Sequence, residues 1–245
     1  MKIIIAPQSF KGSLTALEVS RIIAQSVINN FPDSEIITIP IADGGDGTLQ
    51  TLVDATNGII NTLNVHDPLQ RPINAQWGSL GNKNIAVIEM ARASGLAILN
   101  HNELNPLETT TFGTGELIKE AINTNHKEII IGIGGSATND AGVGMASALG
   151  YKFIKKNGDL ISLGASEIGL ITNILIPDNL TNFSNHNILV ACDVNNPLCG
   201  KNGASYIYGP QKGANDEQVK FLDESLYSFS KVIEKDLNVD VLNIP

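Results

Sequence analysis

"EIIIGIGGSATNDAGVGM", residues 128–145, sets a β-branched apolar run directly against five glycines spread over the thirteen positions 132–144. A short apolar run bounded by glycine reads as a buried strand, and glycines after a strand let the backbone approach a ligand closely. The stretch "GVGMASALG" that follows reads as a helix. Strand, glycine loop and helix in that order predict an α/β protein with its loops gathered at the carboxyl edge of a sheet, where open α/β folds bind ligands.

Working outward, the first sixty residues repeat a simpler unit twice. "KIIIA" (2–6) is a strand, "PQSFKGSL" (7–14) a loop, and a helix starts near Thr15 with Glu18 completing a capping box. "EIITIPIA" (35–42), "DGGDG" (43–47) and "TLQTLVDATN" (48–57) form the second strand, loop and helix, closed by Gly58. Two consecutive βα units imply a parallel pair with a right-handed crossover. Such a pair does not stand as a sheet by itself.

From residue 61 the pattern changes. "NTLNVH", "INAQWGSL" and "NIAVIEMA" are strands joined by the turn-rich "DPLQRP" and "GNKN", an antiparallel meander. A helix is expected near 113–124, a hairpin around Asn157–Gly158, a strand within "NILVACDVNNP" ending at Asp193, and a long amphipathic helix over 215–237. The fold class expected is α/β with two domains. Residues 1–60 begin a parallel-sheet domain, 61–237 form an inserted domain with a mixed sheet, and 238–245 return toward the first.

Composition narrows the functions. Sixteen Lys and Arg stand against twenty-five Asp and Glu, a net charge of −9, which disfavours a nucleic-acid surface because phosphate backbones are held mainly by Lys and Arg. Neither a signal-peptide core nor a membrane-length apolar run is seen, so a cytoplasmic protein without a membrane partner is expected. Cys192 and Cys199 are too few for a disulfide framework and lack metal-site company. The four histidines show no ligand spacing and read as surface residues.

The loops carry the chemistry. "GIGGSA" (132–137) fits the G-x-G-x-x-G/A pattern of a dinucleotide site, but the acidic residue expected at the tip of the next strand is missing. Gly134, Gly135, Ser136, Thr138, Asn139 and Asp140 look instead like a loop offering amide and hydroxyl donors to phosphate oxygens, with Gly113 and Thr114 of "TTTFGTG" as a second donor-rich turn. Phosphoryl transfer also needs a cation, a metal-binding carboxylate set and a group to orient the nucleophile. Lys11, Asp43, Asp46 and Asp193 supply those types at strand ends. Each has a structural alternative: Lys11 a solvated cation, Asp46 a helix cap, Asp193 a turn former with Asn195. Glu89 is either a buried, paired carboxylate or a site residue; Arg92 either pairs with it or grips a substrate carboxylate.

In order along the chain, "APQSFKGSL", "IADGGDGT", "IEMARASGL", "TTTFGTGEL", "GIGGSATNDAGVGM" and "ACDVNNPLCGKNGAS" with "GPQKGA" resemble the signature segments of the type 1 bacterial glycerate kinases. The resemblance implies ATP-dependent phosphorylation of D-glycerate, with 2-phosphoglycerate favoured over 3-phosphoglycerate, and Mg2+ as the metal. It implies a flavodoxin-like domain interrupted by a restriction-endonuclease-like one. Within it, Lys11, Asp43 and Asp193 are the expected catalytic residues, Asp43, Asp46 and Asp193 the metal ligands. Ser9, Lys11, Gly44, Gly45 and Arg92 are the expected glycerate contacts. Two departures stand out. Gln8 occupies a position where the family usually has Asp, and the relatives are longer, so the chain is expected to lack the remaining strands of its first domain. The competing functions are an NAD(P)-dependent oxidoreductase, resting on "GIGGSA" alone, and a non-catalytic ligand-binding or regulatory protein. Self-association stays open.

Overall fold

The computed structural model describes residues 1–10, 13–42, 44–45, 47–81, 84–178 and 185–242. Lys11, Asp43 and Asp46 lie outside the described residues.

At the amino end β1 (Lys2–Ile5) pairs in parallel with β2 (Glu35–Thr38), Lys2 opposite Glu35 and Ile5 opposite Thr38. Between them runs α1 (Ala16–Asn30), opened by the expected capping box: Thr15 Oγ1 accepts from the Glu18 amide while the Glu18 carboxylate accepts from the Thr15 amide. The second strand stops at Thr38, before Pro40, because proline has no N–H for the ladder. This two-stranded sheet leaves Ile4, Ile39 and Ile41 exposed, as expected of a pair too small to cover its own faces.

The main sheet has five strands in the order β3 (Ile59–His66), β4 (Pro72–Ser79), β5 (Ile85–Glu89), β6 (Glu128–Gly132) and β9 (Asn187–Ala191). The first three form the antiparallel meander; β5, β6 and β9 are parallel, with Glu89 opposite Gly132 and Gly132 opposite Ala191. The sheet is therefore mixed.

Strand alternation sends its two faces to different helices. Ala86 and Ile88 of β5, with Val65, Trp77 and Ile129, meet Leu117, Ile118 and Ala121 of α4 (Phe112–Asn123). On the other face Val87 and Leu80 meet Leu49 and Val53 of α2 (Thr48–Ala55). So α2, though contiguous with the small sheet in sequence, packs on the large one. Glu89 shares the Val87 face, and its burial beside α2 follows from that parity.

A third core lies under α7 (Asp216–Leu237), capped by Asn215 and Gln218. Leu222 and Phe229 of this helix pack with Phe153 of β7 (Lys152–Lys155) and Ile174 of β8 (Ile171–Leu175), the Phe153 and Phe229 rings meeting edge-on at 5.8 Å. The turn at Asn157–Gly158 forms, but β7 takes β8 as its main partner and meets the returning chain only at Ile154–Leu160. The histidine reading needs correction at His126. It is buried, within 2.9 Å of Ser79 Oγ and 3.0 Å of Thr124 Oγ1, its ring edge-on to Trp77. The helix after the glycine loop, α5 (Val143–Ala148), and α6 (Ala204–Tyr208) are short. Among the described residues no helix is long and apolar enough to cross a membrane.

Candidate active site

The glycine loop that follows β6 is a junction for the other conspicuous loops. Its Gly134 amide donates to the Gly44 carbonyl at 3.0 Å, which binds it to the chain ahead of α2. Leu96 N donates to Gly135 O and Ala137 N to Ser94 O, both at 2.9 Å, which binds it to the segment carrying Arg92. Thr109 Oγ1 donates to Ala137 O at 2.8 Å. Asn139 Nδ2 donates to Ser205 Oγ at 3.0 Å.

The backbones touch so closely that side chains would not fit. A Cβ on Gly44, whose φ is +88°, would fall 2.4 Å from Ala191 O, and one on Gly132 would fall 2.6 Å from Gly44 O. Three strand-end loops thus meet in backbone contact, and glycine is what permits it. Ser9, in the first loop, lies against Gly47, 3.8 Å from where its Cβ would be.

Within this junction the sequence-derived candidates divide into two groups. Gly134, Gly135 and Ser136 form the rim, Gly135 exposed and the other two half-buried. Asp140 points inward. Its Oδ2 accepts from Thr111 N (2.8 Å), Thr111 Oγ1 (2.8 Å), Thr110 Oγ1 (3.4 Å) and Gly144 N (3.1 Å), and its Oδ1 from Gly142 N (3.3 Å). It braces the threonine turn against the start of α5 and occupies the N–H groups there. Thr114 is buried with its hydroxyl 2.8 Å from Ser94 Oγ. Gly113 seats α4 under β3, for a Cβ there would fall 1.9 Å from His66 O. Thr138 and Asn139 are buried as well.

A cleft of about 560 Å³ opens beside the junction, lined by Gly47, Thr62, Asn74, Gln76, Glu89 and Arg92. Glu89 Oε2 accepts from Leu49 N at 3.0 Å, in the first turn of α2, where the helix dipole favours a carboxylate. Its Oε1 lies 3.5 Å from Arg92 Nε, and that buried nitrogen has no hydrogen-bond partner among the described residues. Glu89 therefore ties the loop preceding α2 to the arginine.

Asp193 is exposed two residues past the end of β9, which stops at Ala191 rather than at Asp193. The described residues contain no group of three His, Cys, Asp or Glu side chains placed to share a metal ion.

The structure adds Lys212, which the sequence reading passed over. It ends the turn Pro210–Lys212 of "GPQKGA" and is buried, donating from Nζ to Ser136 Oγ at 3.0 Å and Thr138 O at 2.5 Å. Burial pushes its pKa down to about 8, with Asp140 pulling the other way. The signal available in sequence was only its membership of a signature segment.

The described residues of the signature segments thus gather around one junction. A model of the glycerate kinase family matches residues 3–245. The chain belongs to the glycerate kinase family. Glycerate 2-kinase of Escherichia coli K12 is 46% identical over the whole chain, which covers 64% of that protein. Glycerate kinase of Haemophilus influenzae is 48% identical over 96% of the chain and 62% of its own length. A crystal structure from Salmonella typhimurium LT2, bearing the name glycerate kinase 2, superposes with a TM-score of 0.91 at 46% identity, covering all of this chain and 65% of that one. The chain therefore spans somewhat less than two thirds of the length of these family members.

Proposed function

We propose that this chain carries the phosphoryl-transfer site of a glycerate kinase, which moves the γ-phosphoryl group of ATP to a hydroxyl of D-glycerate, with 2-phosphoglycerate favoured as product. The observation that carries this reading is the junction itself, where the loop rim at Gly134–Ser136, Gly44 and the cleft lined by Arg92 adjoin. The Gly135 and Ser136 amides and the Ser136 hydroxyl suit phosphate oxygens, and the guanidinium of Arg92 suits the glycerate carboxylate. Ser9, which lies beside Gly47 of the cleft lining, is assigned to glycerate with Gly44 and Gly45, as Lys11 is from sequence. In an in-line displacement the chain's work is positioning and neutralising charge.

Carboxylates are the right donors for Mg2+. Asp193 would share that ion with Asp43 and Asp46; it follows Ala191, whose carbonyl touches Gly44, the neighbour of Asp43. The ion would supply charge neutralisation at the phosphates. Asp43 or Asp193 would orient the attacking hydroxyl. The buried, fully engaged Asp140, Thr114 and Gly113 are assigned to support of the loop rather than to ligand contact. Separate sheets at residues 2–38 and 59–191 speak for a flavodoxin-like layer (1–60 and 238–245) and a restriction-endonuclease-like one (61–237). A cytoplasmic location suits the small phosphorylated product.

The oxidoreductase reading loses its structural support. A dinucleotide fingerprint opens a helix directly, whereas here Ala137 is buried against Ser94 and the next helix starts only at Val143. Phosphorus NMR of D-glycerate with Mg-ATP and this chain tests the proposal. A 2-phosphoglycerate resonance is expected. Binding of both ligands without product would assign the chain a binding role, and binding of neither would reject the reading.

A further inference from the structure

One charged side chain at the junction, Lys212, has no part in the phosphoryl transfer just proposed. Lys212 is buried, and its two identified partners are neutral: the hydroxyl of Ser136 and the carbonyl of Thr138. Asp140 is the anion that acts on it, but the Asp140 oxygens are occupied by the Thr111, Gly142 and Gly144 donors. A buried ammonium is costly to keep. If the only task were to tie the 209–213 turn to the glycine loop, a neutral amide would make the same bonds without that cost. What the ammonium adds is positive charge directly behind a loop whose outer side, Gly134 to Ser136, reaches solvent.

The lysine is also firmly held. Gly213, next to it, has a φ of +97°, and a Cβ there would fall 2.2 Å from Leu104 O, so the turn that carries the lysine is pressed against the 104 backbone. Its hydrogen bonds reach both sides of the buried Ala137, whose own backbone is fixed by Ser94 and Thr109. Charge and loop shape are thereby set before any ligand arrives, the arrangement by which preorganised groups stabilise an anion most effectively.

We propose that Lys212 is the positioning residue of the nucleotide-phosphate site: through Ser136 and Thr138 it holds the 134–138 loop in its anion-receiving shape and supplies the positive potential behind it. This rests on the kinase reading of the junction. It assigns a task to "GPQKGA", which the sequence reading had left without one.

The test is calorimetric titration of the folded chain and of Lys212→Gln and Lys212→Arg with three probes: Mg-ATP, tripolyphosphate and D-glycerate. Lys212→Gln keeps a donor for Thr138 O but removes the charge. It is expected to weaken Mg-ATP and tripolyphosphate at least tenfold while D-glycerate changes less than twofold, and Lys212→Arg is expected to recover part of the loss. Folded Lys212→Gln that binds both phosphate probes as the unaltered chain does would overturn the proposal and leave the kinase reading standing. Equal losses for all three probes, without rescue by arginine, would reduce the lysine to a structural strut and also overturn it. An unaltered chain that binds none of the probes would remove the kinase reading and the proposal with it. Should Lys212→Gln not fold, Lys212→Met serves instead with the same three probes: a loss of tenfold or more confined to Mg-ATP and tripolyphosphate supports the assignment, and unchanged or uniform affinities reject it.

Discussion

Removing the Asp140 carboxylate should be among the most costly single changes to the fold at the junction. In Asp140→Ala the amides of Thr111 and Gly144, bonded at 2.8 and 3.1 Å, lose their acceptor in a buried setting, and the half-buried amide of Gly142 loses its own at 3.3 Å. The hydroxyls of Thr110 and Thr111 can turn to other acceptors; the amides cannot. Two buried amides at about 1–3 kcal/mol each, with the lost charge assistance, give a destabilisation of about 4 kcal/mol. Asp140→Asn keeps the shape. With its oxygen toward Thr111 and Gly144 and its nitrogen toward Gly142, it forfeits one bond and the charge, about 2 kcal/mol. Urea unfolding followed by the single tryptophan, Trp77, buried edge-on to His126, measures both. A loss below about 1 kcal/mol in Asp140→Ala would refute the bracing role and return the carboxylate to the ligand-facing group.

Other consequences follow from the same geometry. Glu89→Gln keeps an acceptor for Leu49 N but leaves Arg92 without its opposing charge; glycerate affinity should fall by about five- to tenfold with Mg-ATP affinity unchanged, and equal titration curves for glycerate would detach Glu89 from the cleft. Gly44→Ala must accommodate a Cβ 2.4 Å from Ala191 O at a φ of +88°, at a cost of about 2–4 kcal/mol in urea unfolding; unchanged stability would mean that the two loops do not dock as described. The depressed Lys212 pKa, about 8 in the fold, gives a pH signature. Between pH 8 and the ordinary lysine range near 10.4 the unfolded chain keeps a proton that the native chain has shed, so this group's contribution to stability rises with pH by up to about 3 kcal/mol across that window and is flat below it. Lys212→Gln should abolish that rise, seen as the difference between the two stability–pH curves; parallel curves would contradict the buried, pKa-lowered lysine.

Much of the architecture was legible because local chemistry and tertiary context agree. Thr15 with Glu18 and Asn215 with Gln218 cap their helices as spacing alone predicts, and the three-strand meander and the parallel β1–β2 pair form as read. Elsewhere the competing influence is nameable. Pro40 ends β2 early, β7 prefers a partner sixteen or more residues away to its own hairpin return, and His126 is drawn inside because Ser79 and Thr124 satisfy both ring nitrogens. At the site, residue type alone could not separate a ligand-facing carboxylate from a bracing one. Asp140 and Glu89 differ from surface acids only in which backbone amides the fold brings to them.

By itself the sequence determined the order of strands and helices, the loops at their ends and, through its signature segments, the family; these depend on short-range pattern and spacing, which the chain carries locally. Only the tertiary structure decided that α2 packs on the large sheet, that Gly44, Gly132 and Ala191 meet backbone to backbone, and that Lys212 lies behind a loop some seventy residues earlier in the chain. Those facts depend on which surfaces come together when distant segments are buried, and no local pattern encodes the charge or the hydrogen-bond partner that burial supplies.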